Sequence, residues 1–528
     1  MKAAMTTLIA SFEAIRSGSL ALLARVGVRP VPGDRPAPQP FAASGRGRTS
    51  QPATAGSAWI FSALAFAALL LSGCASAPLF DASAPPRPAV AEAWQATLPH
   101  AGTATDLVRW WDRFNDPALP PLIAATQSAA SSLATATARI ERARAARVAA
   151  GAAGLPQIDA VASVGQSRSP PRLAQVASAS LGLQAGWEID LFGAVAAGRG
   201  AAQARFEGAE AGWHAARVSL AAETATSYTL LRACEAQLVQ ARADSASRAE
   251  TARLTQLSAD AGFAAPAEAA LARAGAAQSR SQAVNQAAQC ETLVKSLVEI
   301  TDLTETDLRQ RLAGGTAQVP QPEPIAPASL PAALLSQRPD LADAASAIVA
   351  AAGDAAQAAA RQRPQVTLSG SVAGLSVRSS GSTSNGTTFS LGPLAISLPL
   401  FDGGTRAANT AAARAGYDEA VALYRAQVRR AVREVEQSFV ALQSAATRQQ
   451  DAESAARDFE VSLRAVQARQ QGGLASLFEL EIARRDALLA QGALIELQRA
   501  SASAWIELYR ALGGGWSGPA QSIATSRP

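Results

Sequence analysis

The chain has 528 residues and a formal net charge of +5 at neutral pH. Its basic residues are interleaved with acidic ones, which is typical of solvated helix faces and argues against a nucleic-acid partner. Hydrophobic residues make up 48% of the chain but aromatic residues only 5%, a composition typical of long alanine-rich helices. The two histidines and three cysteines show no metal-ligand spacing, so we expect no metal, no cofactor and no enzymatic chemistry.

Near the N-terminus, an apolar run is followed directly by a cysteine in the stretch ALLLSGCASAP, residues 68–78. The run over residues 58–71 is too short for a spanning helix, which needs about 20 apolar residues. It has the length of a signal-peptide core, and Arg46 and Arg48 precede it. The segment ending at Cys74 resembles a bacterial lipobox, in which the cysteine is acylated and becomes the first mature residue. The alternative, a buried cysteine in a short core helix, is disfavoured by the small residues and proline that follow.

The chain repeats itself at an offset of 211 residues. Gly262 meets Gly473 and Glu268 meets Glu479, and further upstream the offset drifts by a few residues. These landmarks predict six segments. They are a signal peptide with a disordered extension (1–73), a lipidated linker (74–105), repeat 1 (106–312), an inter-repeat linker (313–330), repeat 2 (331–513) and a disordered tail (514–528).

Each repeat is predicted to contain a very long helical hairpin. In the second repeat, apolar residues recur at alternating steps of four and three, which predicts left-handed coiled-coil packing; they are Tyr417, Val421, Tyr424, Val428, Ala431, Val435 and Leu442, with Ser438 in the one polar slot. The helix from about Ala407 to Arg469 would be roughly 90–95 Å long. Its counterpart runs from about Ala194 to Ala259. The glycines Gly262, Gly472 and Gly473 would supply the positive φ that ends each long helix.

Two pairs of strands are predicted before the long helices. The first is Gln157–Ser167 with about Ala177–Leu191, and the second is Gln365–Arg378 with about Thr387–Leu400, joined by a polar turn over residues 379–386. Alternation places Val366, Leu368, Gly370 and Val372 on one face and Thr367, Ser369 and Ser371 on the other. Such lengths suit membrane strands, but four strands cannot close a barrel, so several chains would have to share one.

Several motifs carry a family resemblance: RWWDRFNDPAL (109–119), GWEIDLFG (186–193), RPDLADA (338–344), PLFDGG (399–404) and LYRALGGGW (508–516). With the glycine-containing hairpin tips, they resemble the TolC-like outer-membrane factors, in the lipoprotein (NodT-type) branch that serves RND efflux pumps. The resemblance implies a mainly helical fold with membrane strands, in which a homotrimer forms a 12-stranded barrel and an α-helical tunnel. Pro266 and Phe478 depart from the usual tip pattern.

The resemblance also implies a function and partners. The chain would be a passive export duct for small molecules in the outer membrane, lipid-anchored and extending into the periplasm. Its partners would be a periplasmic adaptor, an inner-membrane RND transporter and outer-membrane lipid, and Ser76 would permit sorting to the outer membrane.

Type I protein secretion is one alternative function. A lipid-anchored periplasmic coiled-coil scaffold is another, although it would need no strands. The strand-to-helix turns LFGAVAAGRG and LFDGGTRAAN match no nucleotide-loop motif.

Candidate site residues follow from the tips and the cysteines. By resemblance, Glu479 and Glu481 would line the periplasmic gate, where like-charge repulsion between three chains would raise the pKa of Glu479. The alternative is that Glu479 only faces solvent on a helix surface. The adaptor-contacting tip residues would be Gly262, Glu268, Gly472, Gly473, Leu474 and Leu477. Cys234 and Cys290 each lie 28 residues from Gly262, so antiparallel helices would place them at one height. A disulfide is allowed in the oxidising periplasm, and a pair of free buried thiols is the alternative.

Overall fold

Two copies of one element order make up the described part of the chain, which in this computed structural model comprises residues 107–169, 174–323, 337–379 and 382–516. After a 3-10 helix (Leu107–Phe114), the first copy contains α1 (Leu119–Ala129), α2 (Ser131–Ala152), β1 (Gln157–Ser169), β2 (Ala174–Ile189), α3 (Ala194–Asp260), α4 (Pro266–Thr301) and the short α5 (Glu305–Leu312). The second contains α6 (Pro339–Ala360), β3 (Gln365–Ser379), β4 (Ser382–Ser397), α7 (Thr405–Gln471) and α8 (Leu477–Ala511).

The lengths of corresponding helices show how closely the two copies agree. α3 and α7 each have 67 residues, α2 and α6 each have 22, and α4 and α8 have 36 and 35. The long helices begin and end within two residues of the predicted bounds. The predicted fold class is therefore confirmed for the chain, with four strands and two long hairpins in the described residues. No helix within the described ranges is long and apolar enough to cross a membrane.

The four strands form one antiparallel sheet in the order β1-β2-β3-β4. Leu183 lies opposite Val372, which lies opposite Phe389, and cross-strand partners share a face. The predicted alternation therefore extends across all four strands as one apolar face, on which Val164 and Leu391 are almost fully exposed. On the other face, serine hydroxyls pair across the strands. The outer edges of β1 and β4 have no strand partner among the described residues.

The bounds of β2 and β4 differ from those predicted. The polar stretch 379–386 is not all turn, because β4 begins at Ser382 and pairs with Ser379. Serine and threonine fit a hydrogen-bonded ladder when alternation is kept, so their turn propensity was overridden. β4 also ends at Ser397 rather than Leu400, and β2 spans Ala174–Ile189 rather than Ala177–Leu191.

The predicted coiled-coil seam of α7 is buried over its central part. Val428, Ala431, Val435 and Leu442 are at most 4% exposed. The polar member, Ser438, is buried because its hydroxyl donates to the carbonyl oxygen of Glu434 at 2.8 Å. Toward the start of α7, the seam residues Tyr417, Val421 and Tyr424 are half-buried.

Three of the resemblance motifs meet in one joint beside the long helices. Trp110 stacks on Tyr509 with ring centroids 4.9 Å apart, which joins RWWDRF to LYRALGGGW. The guanidinium of Arg338 in RPDL donates to the carbonyl oxygen of Ala511 at 2.9 Å and pairs with Glu434. Gly513 passes so close to this segment that a Cβ would lie 2.4 Å from the carbonyl oxygen of Gln337. The motifs therefore form the packing contact between the end of the second repeat and the start of the first.

Cys234 of α3 and Cys290 of α4 form a disulfide, with their Cα atoms 5.6 Å apart. Both side chains lie in the main hydrophobic core. The first hairpin is thus cross-linked covalently partway along its length, whereas the second hairpin contains no cysteine.

Candidate functional site

The two hairpin tips have the same backbone geometry. At the first tip Gly262 has φ +81° and the amide of Phe263 donates to the carbonyl oxygen of Ser258 at 2.8 Å. At the second tip, Gly473 has φ +72° and the amide of Leu474 donates to the carbonyl oxygen of Arg469, also at 2.8 Å. This bond spans five residues and closes a Schellman-type helix end, which needs a left-handed residue.

Gly472 does not share the role predicted for it. Its φ is −83°, which any residue adopts. The adjacent Gly473 supplies the left-handed conformation alone. Because the two glycines are adjacent, the sequence alone does not show which of them has the positive φ.

Glu479 takes part in a capping box at the start of α8. Its carboxylate accepts from the amide of Ser476 at 2.7 Å, while the Ser476 hydroxyl accepts from the Glu479 amide at 3.2 Å. The Ser476 amide and hydroxyl hold the pKa of Glu479 below its usual range, because they stabilise the charged form. Within one chain this shift is opposite to the rise expected from a ring of like charges. The S-x-x-E pattern at 476–479 was a readable signal for this cap.

The exposed apolar side chains at the tips are only partly those predicted. Leu474 is 75% exposed, as an adaptor contact requires, and Phe263 and Phe478 are 89% and 66% exposed. Leu477, in contrast, is half-buried against the first hairpin, where it packs on a cluster of Ala252, Ala272 and Ala276. It is the first residue of α8, and its side chain faces the neighbouring hairpin. Glu268 lies exposed in the first turn of α4.

A network of charged side chains joins the two hairpins behind the tips. Glu481 of α8 pairs with Arg248 of α3, which also pairs with Asp244 at 2.9 Å. Arg484, one turn further along α8, pairs with Glu481 at 2.6 Å. The Nη2 atom of Arg484 donates to two hydroxyl oxygens on the first hairpin, that of Ser247 at 2.8 Å and that of Thr251 at 3.2 Å. We call these six residues the interhairpin network.

Arg484 is the most enclosed charge of the interhairpin network, at 3% exposure. Burial lowers the pKa of Arg484, and the neighbouring Glu481 and Asp244 oppose that effect. The arginine remains charged because its ordinary pKa lies far above neutrality. Removing one partner of a buried ion pair is strongly destabilising, because the remaining charge is left uncompensated. The network can therefore act as a latch between hairpins.

Of the two predicted gate residues, the structure places Glu481 in this network and Glu479 outside it, at the helix cap. The arginines and Asp244 were missed. One signal was available: Leu480, Arg484 and Ala487 follow four-three spacing and are all buried. A charged residue on an apolar seam indicates a partner on the facing helix.

The two strand-to-helix turns have their backbone amides satisfied by aspartates. Asp190 accepts from the amides of Val195 and Ala196 at 3.1 and 2.8 Å. Asp402 accepts from Gly404 and Arg406 at 2.9 and 3.1 Å. A phosphate-binding turn keeps such amides free for its ligand, so these turns cap helices α3 and α7. Cys74 and Ser76 lie outside the described residues.

The antiparallel sheet, apolar on one face and continuing into two long helical hairpins, has the architecture of outer-membrane channel proteins. The chain belongs to the outer membrane efflux protein family, whose model matches residues 122–301 and 330–514.

Individual relatives align with this chain over nearly their full lengths. The chain is 29% identical to outer membrane protein OprJ of Pseudomonas aeruginosa over 459 residues, which cover 85% of this chain and 94% of OprJ. It is 26% identical to nodulation protein T of Rhizobium leguminosarum bv. viciae, covering 85% of this chain and 92% of that protein. The solved outer-membrane channel OprN superposes with a TM-score of 0.72 at 26% identity, covering 81% of this chain and 98% of OprN.

These findings confirm the resemblance to the TolC-like factors and the location in the outer membrane. The chain is an outer-membrane efflux component.

Proposed function

We propose that three copies of this chain form the outer-membrane duct of a tripartite RND-type efflux system, through which small molecules pass passively. The observation that carries the proposal is the open four-stranded sheet, apolar on one face and polar on the other, with both edge strands unpaired in the described chain. Unpaired strand edges are not tolerated in lipid.

With three chains, every edge strand would have a hydrogen-bonding partner and each face of the sheet would meet a matching environment. They contribute twelve strands, above the smallest membrane barrels of about eight. The edge of β4 in one chain would pair with the edge of β1 in the next, with the apolar face toward lipid and the serine-rich face toward a wet lumen. The long helices α3, α4, α7 and α8 of each chain would continue the lumen as a tunnel of twelve helices.

The tips are the proposed contact with a periplasmic adaptor, which in turn would link the duct to an inner-membrane RND transporter. Phe263, Leu474 and Phe478 offer apolar anchors on otherwise polar helix ends. Exposed aromatic anchors of this kind dominate protein interfaces. The glycines, Glu268 and the Ser476–Glu479 cap would set the shape of this surface.

The gate is proposed to open when the interhairpin network breaks. Arg484 and Arg248 tie α8 to α3, and the disulfide ties α3 to α4. The first hairpin would therefore stay fixed while the second swings outward. Three Glu479 carboxylates around the three-fold axis would attract cations to the entrance.

In this duct the chain would carry a lipid anchor and would catalyse no reaction. Acylation of Cys74 would place acyl chains in the inner leaflet of the outer membrane, adding about 0.8 kcal/mol per buried CH₂. The amides of both strand-to-helix turns are occupied by aspartates, which supports a role without nucleotide chemistry. Type I protein secretion would use the same duct with another inner-membrane partner.

The experiment that tests the assembly is native mass spectrometry of the purified protein in detergent. The proposal expects a mass of three acylated chains, stable on dilution. A monomer, or a dimer that resists dissociation, would support the periplasmic scaffold and would overturn the shared barrel. Cross-linking of whole cells through a photoreactive residue at Leu474 should capture a periplasmic adaptor.

A further inference from the structure

A pocket of about 440 Å³ lies where the end of α6 meets the start of α7, directly beside the sheet. Its lining residues are Ala358, Arg361, Asp402, Thr405, Arg406 and Asn409. Gln362 braces the two helices beside it by donating to the hydroxyl of Thr410 at 2.6 Å. The pocket is therefore held open between two anchored helix ends.

The pocket carries a positive charge without a full set of counter-ions. Asp402 is engaged by the amides of Gly404 and Arg406 and lies 3.4 Å from the Arg406 guanidinium. Arg361 takes part in no ion pair or side-chain hydrogen bond within the described chain. Two arginines thus line a pocket that holds one carboxylate, and the oxygens of that carboxylate are already hydrogen-bonded. Such a site favours an anion that accepts bidentate hydrogen bonds, as phosphate does.

The internal repeat shows that the fold itself does not require these charges. The C-cap of α2 corresponds to the C-cap of α6, so Ala153 stands where Arg361 does. The helix starts correspond at Gly193 and Gly404, so Val195 and Gly198 replace Arg406 and Asn409. The first repeat builds the same corner with no arginine at either position, and Asp190 there satisfies the helix amides as Asp402 does in the second repeat. The charged pocket is a feature added to the second repeat.

The place of the pocket indicates the source of the anion. Gln365 and Ser397 pair at the end of the sheet that joins the helices, which is the periplasmic end in an outer-membrane duct. Leu400 and Phe401, between β4 and the pocket, are 88% and 93% exposed. Exposed aromatic and aliphatic side chains at a strand end mark the membrane interface, where lipid head groups lie.

We propose that this pocket binds the phosphate of a phospholipid head group in the periplasmic leaflet, with Arg361 and Arg406 as ligands and Leu400 and Phe401 against the acyl chains. The bound lipid would fix the depth of the barrel at the junction between strands and helices. Each arginine near an anionic membrane surface contributes about 1 kcal/mol. Removal of both should therefore weaken lipid binding roughly 30-fold.

The test is native mass spectrometry of the trimer titrated with dioleoylphosphatidylglycerol. The wild-type protein should retain one lipid per chain, and Arg361→Gln/Arg406→Gln should bind it roughly 30-fold more weakly. Arg457→Gln/Arg464→Gln is the matched control, since it removes two exposed arginines further along α7. It should bind lipid as the wild type does. Both variants should conduct ions normally, so a failure here is distinct from a failure of the duct.

Two further variants keep the test informative if the double glutamine variant does not assemble. Arg361→Lys/Arg406→Lys retains the charges and should retain the lipid, whereas Asn409→Glu adds a carboxylate to the pocket and should release it. Equal lipid binding by wild type and Asn409→Glu would overturn the proposal. Displacement of the lipid by inorganic phosphate alone would show a site for the free anion and would also overturn it.

Discussion

The guanidinium of Arg484 on the second hairpin donates to the hydroxyl oxygen of Ser247 on the first, at 2.8 Å. This contact, and the neighbouring pair of Glu481 with Arg248, are polar links between α8 and α3 near the tips. They lie behind an apolar tip surface. In the proposed duct, an entrance held by such polar contacts would open without exposing a hydrophobic core to water.

Replacing Arg484 is expected to loosen the entrance. Arg484→Gln leaves Asp244 and Glu481 with only Arg248 between them, and breaking a buried ion pair costs about 3–5 kcal/mol. The second hairpin should then spend more time away from the first. We expect a larger single-channel conductance in planar bilayers.

The control for Arg484→Gln is the same substitution at the next residue, Arg485. Arg485 is exposed and lies outside the interhairpin network, so Arg485→Gln removes the same charge without touching the latch. An increase in conductance shared by both variants would mean that charge alone, and not the latch, controls the opening.

Glu479 is expected to set cation selectivity in a pH-dependent way. Glu479→Gln should lower the cation preference measured as a reversal potential in a salt gradient, while trimer assembly is retained. The pKa of Glu479 is depressed by its cap, so its charge and its contribution to capping are complete above the unfolded value of about 4.3. Both are lost as pH falls through the folded pKa.

Glu268 provides the matched control for Glu479, because it occupies the equivalent position at the first tip and Ala265 there cannot form a capping box. Glu268→Gln should leave the reversal potential unchanged. If the reversal potential of Glu479→Gln also equals that of the wild type, Glu479 does not line the pore.

The disulfide is expected to stabilise the first hairpin. It links residues separated by 56 positions, and closing a loop of that length in the unfolded chain is worth about 4 kcal/mol. Cys234→Ala/Cys290→Ala should lower the midpoint of thermal or denaturant unfolding. The denatured wild-type chain should also migrate differently on gels with and without reductant, and identical migration would show that the two thiols are free.

Lipidation of Cys74 stays a prediction of the sequence. The acyl linkage needs a thiol, so Cys74→Ser should leave the precursor unprocessed, and mass spectrometry should find the signal segment still attached. A normally processed N-terminus in that variant would exclude the lipobox.

The sequence predicted the architecture well because the relevant signals are periodic. Four-three spacing around Val428 and Val435 set the helix type and its buried side, and alternation around Leu368 set the strands. The site was harder to predict. Contacts such as Arg248 with Glu481 depend on how two hairpins rotate about each other, and alanine-rich faces offer little to fix that rotation. The half-burial of Leu477 against the first hairpin could not be predicted from the sequence for the same reason.

Single-channel recording of the purified wild-type trimer in a planar bilayer is the decisive measurement for a duct shared by three chains. A shared barrel and tunnel predict discrete conductance steps from inserted trimers, a cation preference, and larger steps for Arg484→Gln. Insertion or membrane binding without any conductance, in both the wild type and Arg484→Gln, would show that the chain forms no duct.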